Sequence, residues 1–176
     1  AMQKRGRPVV REVGLYFEYK LYRGNRTTKI NAEHFSAFES LNYPYLAESG
    51  VYLNVNYDAL YKPNTRKKIK IHKKFDTNIA LVKLFPGISA SDLESIMNNP
   101  DVKGIVLETY GAGNTTTENW FVDIIKSTLK RGVHIINVTQ CSGGSVNMGA
   151  YETSSHLKQM GVISGKDITT EAAIAK

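Results

Sequence analysis

The sequence predicts an α/β protein whose second half folds around a parallel β-sheet. Strand-length apolar runs alternate there with stretches of helical spacing, in the order 78–85, 91–98, 102–109, 116–130 and 133–139. Strands that alternate with helices pair in parallel through right-handed crossovers, and the helices can then cover both faces of the sheet. We therefore expect a three-layer α/β/α domain.

Helix-start signals support this order. Hydroxyl residues that can cap a helix precede each predicted helix: Ser89 or Ser91, Thr116 or Thr117, and Thr169 or Thr170. Gly132 follows the second helix, where a glycine commonly ends one. A further helix is predicted over 154–160.

The first 56 residues are less regular. Alternating residues predict strands at 10–19 and 51–56, and Asn31 is a candidate cap for a short helix over 31–38. A segment of this size is too small to hold a good core by itself.

The net charge of +7 is concentrated in one segment. Residues 62–74 hold seven lysines and arginines and no acid, so the rest of the chain is balanced. Such a cluster can bind nucleic-acid phosphates, but lysines also keep edge strands from pairing, and 68–72 alternates as an edge strand would. Because no aromatic interleaving or nucleic-acid module accompanies the charge, we favour a solvated linker and do not expect nucleic-acid binding.

The composition, 41% hydrophobic and 22% charged, is that of an ordinary globular protein. A single cysteine excludes an internal disulfide, and no run reaches the length of a membrane span. The opening residues also lack the apolar core of a signal peptide. These features predict a cytoplasmic protein that does not bind membranes.

Two glycine-containing loops are the expected place of function. They follow the strands at 102–109 and 133–139, and they read Gly-Ala-Gly-Asn at 111–114 and Cys-Ser-Gly-Gly-Ser at 141–145. Parallel strands open into ligand-binding loops at their carboxyl ends. Neither loop completes a dinucleotide or phosphate-loop fingerprint, and the histidines lack metal-ligand spacing. We expect no cofactor and no metal.

Four blocks of sequence strongly resemble the type I (cytoplasmic) bacterial L-asparaginases. They are Leu-Tyr-Arg-Gly-Asn-Arg-Thr-Thr-Lys at 21–29, Thr-Gln-Cys at 139–141, Val-Asn-Met-Gly-Ala-Tyr at 146–151, and Gly-Val-Ile-Ser-Gly-Lys-Asp-Ile-Thr-Thr-Glu-Ala at 161–172. The resemblance implies a remnant of a larger α/β amino-terminal domain at 1–56, a basic linker at 57–77 and the carboxyl-terminal domain at 78–176. It also implies an amide hydrolase that acts on L-asparagine as a homo-oligomer.

The catalytic threonines of that family have no counterpart here. The family's nucleophile lies in a Thr-Gly-Gly-Thr loop, with a second threonine, an aspartate and a lysine later in the same domain. This sequence has no Thr-Gly-Gly-Thr and no Gly-Thr-Asp-Thr segment. We therefore predict no catalytic residue in the chain and no activity of the chain alone.

Binding roles do transfer from the resemblance. Asn114 matches an asparagine that reaches the substrate site of a neighbouring subunit. Thr139 and Cys141 match residues that border a second, allosteric asparagine site. Glu108 stands where one branch of the family has an arginine for the effector carboxylate, and an acid would repel that group.

Simpler interpretations of Cys141 and of the whole chain remain as alternatives. Cys141 is more often a small buried residue than a reactive one, because no histidine adjoins it. A stand-alone small-molecule or nucleic-acid-binding module is the alternative to an asparaginase fragment, and nucleotide binding or salt-dependent DNA retention would favour it.

Overall fold

The computed structural model describes residues 3–4, 6–64, 70–149 and 152–176. The chain divides into two compact units, Ala1–Lys74 and Phe75–Lys176. Residues 65–69, the centre of the predicted basic linker, lie outside the described residues, and so does the first half of the predicted edge strand at 68–72. The other half, 70–72, forms no strand.

Short antiparallel strands build the first unit. They are β1 (Gln3–Lys4), β2 (Arg7–Pro8), β3 (Gly14–Phe17), β4 (Lys20–Arg23), β5 (Thr28–Lys29), β6 (Phe38–Glu39), β7 (Ala47–Ser49) and β8 (Leu53–Val55). Four of them form one sheet in the order β3-β4-β7-β8, while β1 pairs with β2 and β5 with β6. A short 3₁₀ helix, Gly24–Arg26, follows β4.

The predicted strand at 10–19 is shorter than expected because the chain reverses at Glu18 and Tyr19. Both residues have positive φ, 43° and 66°, as the two central residues of a type I′ hairpin turn require. The resulting β3–β4 hairpin pairs Phe17 with Lys20.

The predicted helix over 31–38 is wrong. Asn31 Oδ1 does accept from the amides of Glu33 and His34, at 2.8 and 2.9 Å, as a cap would. The chain then turns back, because the Ile30 amide donates to the Ala37 carbonyl at 2.8 Å and leads into the β5–β6 pair. The asparagine therefore stabilises a hairpin loop and no helix follows it.

An ion pair ties the end of this unit to its strands. Arg23 on β4 binds the Glu12 carboxylate, and it also donates to the Ala59 carbonyl at 3.0 Å. The Tyr61 amide donates to Glu12 at 2.7 Å, and the Tyr43 ring lies 4.2 Å from the guanidinium carbon. The hydrogen bond with Glu12 raises the pKa of Arg23.

Strands and helices alternate throughout the second unit. They are β9 (Ile79–Lys83), α1 (Ala90–Met97), β10 (Gly104–Thr109), α2 (Asn119–Lys130), β11 (His134–Thr139), α3 (Glu152–Met160), β12 (Ile163–Ser164) and α4 (Thr170–Ala175). The strands form one parallel sheet in the order β12-β11-β10-β9. The predicted parallel sheet is confirmed, with β12 as a fourth strand that the sequence did not predict.

Helices cover both faces of this sheet, as the predicted three layers require. Residues of α1, α2 and α3 pack with alternate strand residues in the main core, which includes Leu93, Phe121 and Leu157, each fully buried. On the opposite face Ala173 of α4 packs against Val106 and Val138.

Two of the predicted caps are observed. Ser89 accepts from the Asp92 amide at 3.1 Å in a reciprocal capping box, and Thr169 accepts from the Ala172 amide at 3.2 Å. The predicted threonine cap of α2 is wrong. Glu118 holds the cap position without a side-chain bond to the helix, while the Thr116 hydroxyl accepts from the Glu118 amide.

Candidate functional site

The loop after β10 is a closed turn that carries Asn114. The Tyr110 amide donates to the Asn114 carbonyl at 3.0 Å, and the Asn114 amide donates back to the Tyr110 carbonyl at 2.8 Å. Gly113 has a φ of +105°, and a Cβ there would lie 2.8 Å from Cγ1 of Val146. This position therefore requires glycine on both conformational and steric grounds.

Three successive carbonyls of this turn accept hydrogen bonds from β11 and from the segment that follows it. Thr139 Oγ1 donates to Gly111 at 2.6 Å, the Asn147 amide donates to Ala112 at 2.9 Å, and Asn137 Nδ2 donates to Gly113 at 3.2 Å. The turn is thus held both by the neighbouring strand and by the segment that follows it.

Asn137 is fully buried and uses both ends of its amide group. Its Oδ1 accepts from the Thr109 hydroxyl at 2.6 Å, and Thr109 is fully buried as well. Asn137 is not among the site residues that the sequence predicts. The available signal was an amide side chain in the middle of an otherwise apolar parallel strand, where a polar group needs a specific partner.

Thr139 and Cys141 lie beside this turn. The Thr139 hydroxyl accepts from the Cys141 amide at 3.0 Å while it donates to Gly111, so it joins the two glycine-containing loops. The expectation of a buried cysteine is wrong, because Cys141 is exposed on the loop after β11. It follows the last residue that the strand holds in register, and the chain there has already left the core.

Glu108 lies on the other face of the sheet. In β10 it alternates with the fully buried Thr109, and it pairs in register with Val138, which packs in the α4 core. The Thr170 hydroxyl of α4 donates to Glu108 Oε1 at 2.6 Å, and Lys83 Nζ lies 3.6 Å from Oε2. The carboxylate is therefore bound by a hydroxyl and an ammonium group.

The structure thus brings three of the four predicted binding residues around one loop. Asn114, Thr139 and Cys141 lie at the carboxyl ends of β10 and β11, while the side chain of Glu108 contacts α4. His156, which has no sequence signal as a ligand, lies with Nε2 3.3 Å from the Thr115 hydroxyl just after the turn.

A cleft of about 370 Å³ adjoins the same edge of the sheet. Its walls come from the loops after β9 and β10 and from the first residues of α1 and α2, and they include Phe85, Tyr110 and Trp120. Trp120 Nε1 donates to Glu118 Oε2 at 2.6 Å on one side of this cleft.

Within the described residues, no three histidine, cysteine or acidic side chains come together as a metal site would require. No helix in the same part of the chain has the length and apolar character needed to cross a membrane.

Family models match both parts of the chain. The glutaminase/asparaginase carboxyl-terminal domain matches residues 78–176, and the amino-terminal asparaginase domain matches residues 1–61. The chain belongs to the glutaminase/asparaginase family. The resemblance seen in the sequence is thereby confirmed, and the parallel sheet and its helices are those of an asparaginase carboxyl-terminal domain.

Relatives of this family extend well beyond the present sequence. L-asparaginase 1 of Escherichia coli K12 is 38% identical over 167 residues, which are 95% of this chain and 49% of that protein. The mouse 60 kDa lysophospholipase is 36% identical over 100% of this chain and 31% of its own length. The chain thus spans about half of the first relative and less of the second.

Solved structures agree with this assignment. L-asparaginase I from Vibrio cholerae matches with a TM-score of 0.83 at 38% identity, over 94% of this chain and 50% of that one. The thermostable L-asparaginase from Thermococcus kodakarensis matches with a TM-score of 0.83 at 28% identity, over 98% and 51%.

Proposed function

We propose that this chain is part of a cytoplasmic L-asparaginase, which hydrolyses L-asparagine to L-aspartate and ammonia. The observation that carries the proposal is the fixed turn with Asn114 at the carboxyl edge of a family-type sheet. An amide side chain there can accept from the substrate ammonium and donate to its carboxylate. A turn held by three carbonyl hydrogen bonds keeps such a group in place before substrate arrives.

In this proposal Asn114 reaches the substrate site of a neighbouring subunit, so the working enzyme is a homo-oligomer. The chain supplies a substrate contact, while the nucleophile comes from the family's Thr-Gly-Gly-Thr segment, which the 176 residues do not contain. Acyl transfer needs that hydroxyl together with its base and oxyanion donors. The 176 residues by themselves are therefore inactive.

The domain division follows from the same proposal. Residues 1–56 belong to the catalytic amino-terminal domain, 57–77 form the basic linker, and 78–176 are the carboxyl-terminal domain. Two observations support a domain boundary in this region. The two family models match on either side of residues 62–77, and the chain divides into two compact units.

Thr139 and Cys141 are proposed to border an effector site for asparagine, as the resemblance implies. Glu108 was expected to repel the effector carboxylate. Its own carboxylate is instead bound by Lys83 and Thr170. We propose that the chain alone binds free asparagine weakly or not at all, because it lacks the family's catalytic pocket and Glu108 offers no cation to the asparagine carboxylate.

The gene sequence immediately upstream of the codon for Met2 tests the proposal. An in-frame Thr-Gly-Gly-Thr segment followed by a Gly-Thr-Asp-Thr segment is expected within the next few hundred codons. A stop codon directly upstream, with no such segment in frame, would contradict the proposed parent enzyme and favour a stand-alone binding module.

A further inference from the structure

We propose that Asn137 is the positioning residue that aims the Asn114 turn, an inference that rests on the proposed substrate role of Asn114. The side chain of Asn137 is fully buried in β11, and it donates to the Gly113 carbonyl, one residue before Asn114. Asn114 itself belongs to the loop after the adjacent strand. In this proposal the orientation of Asn114, in the loop after β10, is set by the side-chain amide of Asn137 on β11.

The Asn137 amide can point in only one direction. The Gly113 carbonyl can only accept, so the amino end of the amide must face it, at 3.2 Å. The oxygen end then faces the Thr109 hydroxyl, which lies 2.6 Å from Asn137 Oδ1 and 3.2 Å from the Val138 carbonyl. The Gly113 carbonyl therefore sets the orientation of the amide, and Thr109 supplies the donor for its oxygen.

The space around Gly113 makes this contact specific. A Cβ on Gly113 would lie 3.2 Å from Asn137 Nδ2 and 2.8 Å from Cγ1 of Val146. The backbone of the turn therefore packs directly on the amide. A change of the Asn137 side chain should therefore displace the Gly113 backbone, because a close-packed interior has no free space to absorb the change.

The other two anchors hold the turn at different points. Thr139 binds the Gly111 carbonyl, and the Asn147 amide binds Ala112. Both act before Gly113 in the chain, so of these three anchors Asn137 acts nearest to Asn114, whose backbone also pairs with Tyr110 within the turn. Loss of Asn137 should loosen the Asn114 end more than the start of the turn.

Amide hydrogen exchange of the 176-residue chain tests the positioning directly. Asn137→Leu keeps the number of side-chain heavy atoms, although leucine is larger, and it removes both hydrogen bonds. We expect the Gly113 and Asn114 amides, which donate to the Tyr110 carbonyl, to exchange about five to ten times faster, the size of losing about one hydrogen bond. Strand amides such as that of Ile135 should change much less.

Thr128→Val is the matched control. Thr128 is also fully buried and also donates a hydroxyl hydrogen bond, to the Ile124 carbonyl at 2.8 Å, but it lies within α2. Loss of the Thr128 hydroxyl should lower the free energy of unfolding. It should not selectively speed amide exchange at Gly113 and Asn114. Should Asn137→Leu fail to fold, Asn137→Ser carries the same test, because its hydroxyl is too short to replace the amide.

Amide exchange that becomes equally faster in the turn and in the strands would overturn the positioning role. Exchange in the turn that becomes no faster would overturn it as well. Steady-state kinetics test whether the position of the turn affects substrate binding. They require the longer polypeptide of the proposed function, which also contains the nucleophile. There Asn137→Leu is expected to raise KM for L-asparagine about tenfold and to change kcat much less, as Asn114→Ala should. A KM that Asn114→Ala raises but Asn137→Leu leaves unchanged would also overturn the inference. A KM that neither variant changes, or a wild-type polypeptide without activity, would refute the proposed function instead, and the exchange result would still decide the positioning.

Discussion

Replacing Thr170 with valine should destabilise the second unit, because the Thr170 hydroxyl binds a nearly buried carboxylate. The Glu108 side chain is 13% exposed, so little water can replace the lost donor. A hydrogen bond to a charged group contributes about 1.5–3 kcal/mol. Valine has nearly the same shape and removes only the hydroxyl, so we expect a loss of about 2 kcal/mol.

Fluorescence makes this measurement specific to one unit. Trp120 is the single tryptophan of the chain and lies in α2, so its signal in urea reports the unfolding of the second unit alone. The free energy of unfolding follows from the midpoint and the slope of the transition.

Two control variants separate the possible causes. Thr117→Val makes the same chemical change at an exposed position and should stay within about 0.5 kcal/mol of the wild type. Lys83→Met removes the other partner of Glu108, but Lys83 is 63% exposed, and such ion pairs contribute only about 0–1 kcal/mol. A Thr170→Val loss no larger than that of Thr117→Val would refute the assignment of the hydroxyl as the main partner of Glu108.

Three further predictions concern pH, domain division and ligand binding. The Asn78 amide, and after it Lys103, lower the pKa of Asp76, so its contribution to stability is present above the ordinary pKa of about 4 and is lost as the pH falls through the lowered value. Asp76→Asn should therefore flatten the acid side of the stability profile of the second unit, and an unchanged profile would contradict this. Trypsin should cut first within residues 62–74, which hold six of its sites because Lys62 precedes a proline, and peptide mapping that finds the first cut after Lys103, at the start of β10, would refute the division. Titration calorimetry with millimolar L-asparagine should show no saturable heat from the 176-residue chain, whereas micromolar binding would mean that another cation replaces the missing arginine.

The second half of the fold was predictable because its apolar runs are long and uninterrupted. Each predicted strand from β9 to β11 was found, since a buried parallel strand needs apolar residues on both faces. The fourth strand, Ile163–Ser164, has only two residues and pairs with β11 alone, so no local pattern marks it. The helix predicted from Asn31 failed because a cap also stabilises turns, and the pairing of β5 with β6 across the loop favoured the turn.

The site was predictable in its location but not in its internal bonding. Glycines after two strands placed the loops at one edge of the sheet, and the structure has them there. The side of the sheet taken by Glu108 follows from period-two alternation, which a resemblance does not convey. The role of Asn137 depends on the spatial approach of the Gly113 carbonyl from another strand, and sequence spacing carries no information on that contact.

Ammonia release from L-asparagine should be measured in parallel for the 176-residue chain and for the longer polypeptide proposed above. We expect turnover by the longer polypeptide and no release above the blank by the chain, because in the proposal the chain holds a substrate contact at the Asn114 turn without the nucleophile. Turnover by the purified chain, or no turnover by the longer polypeptide, would contradict the proposed function.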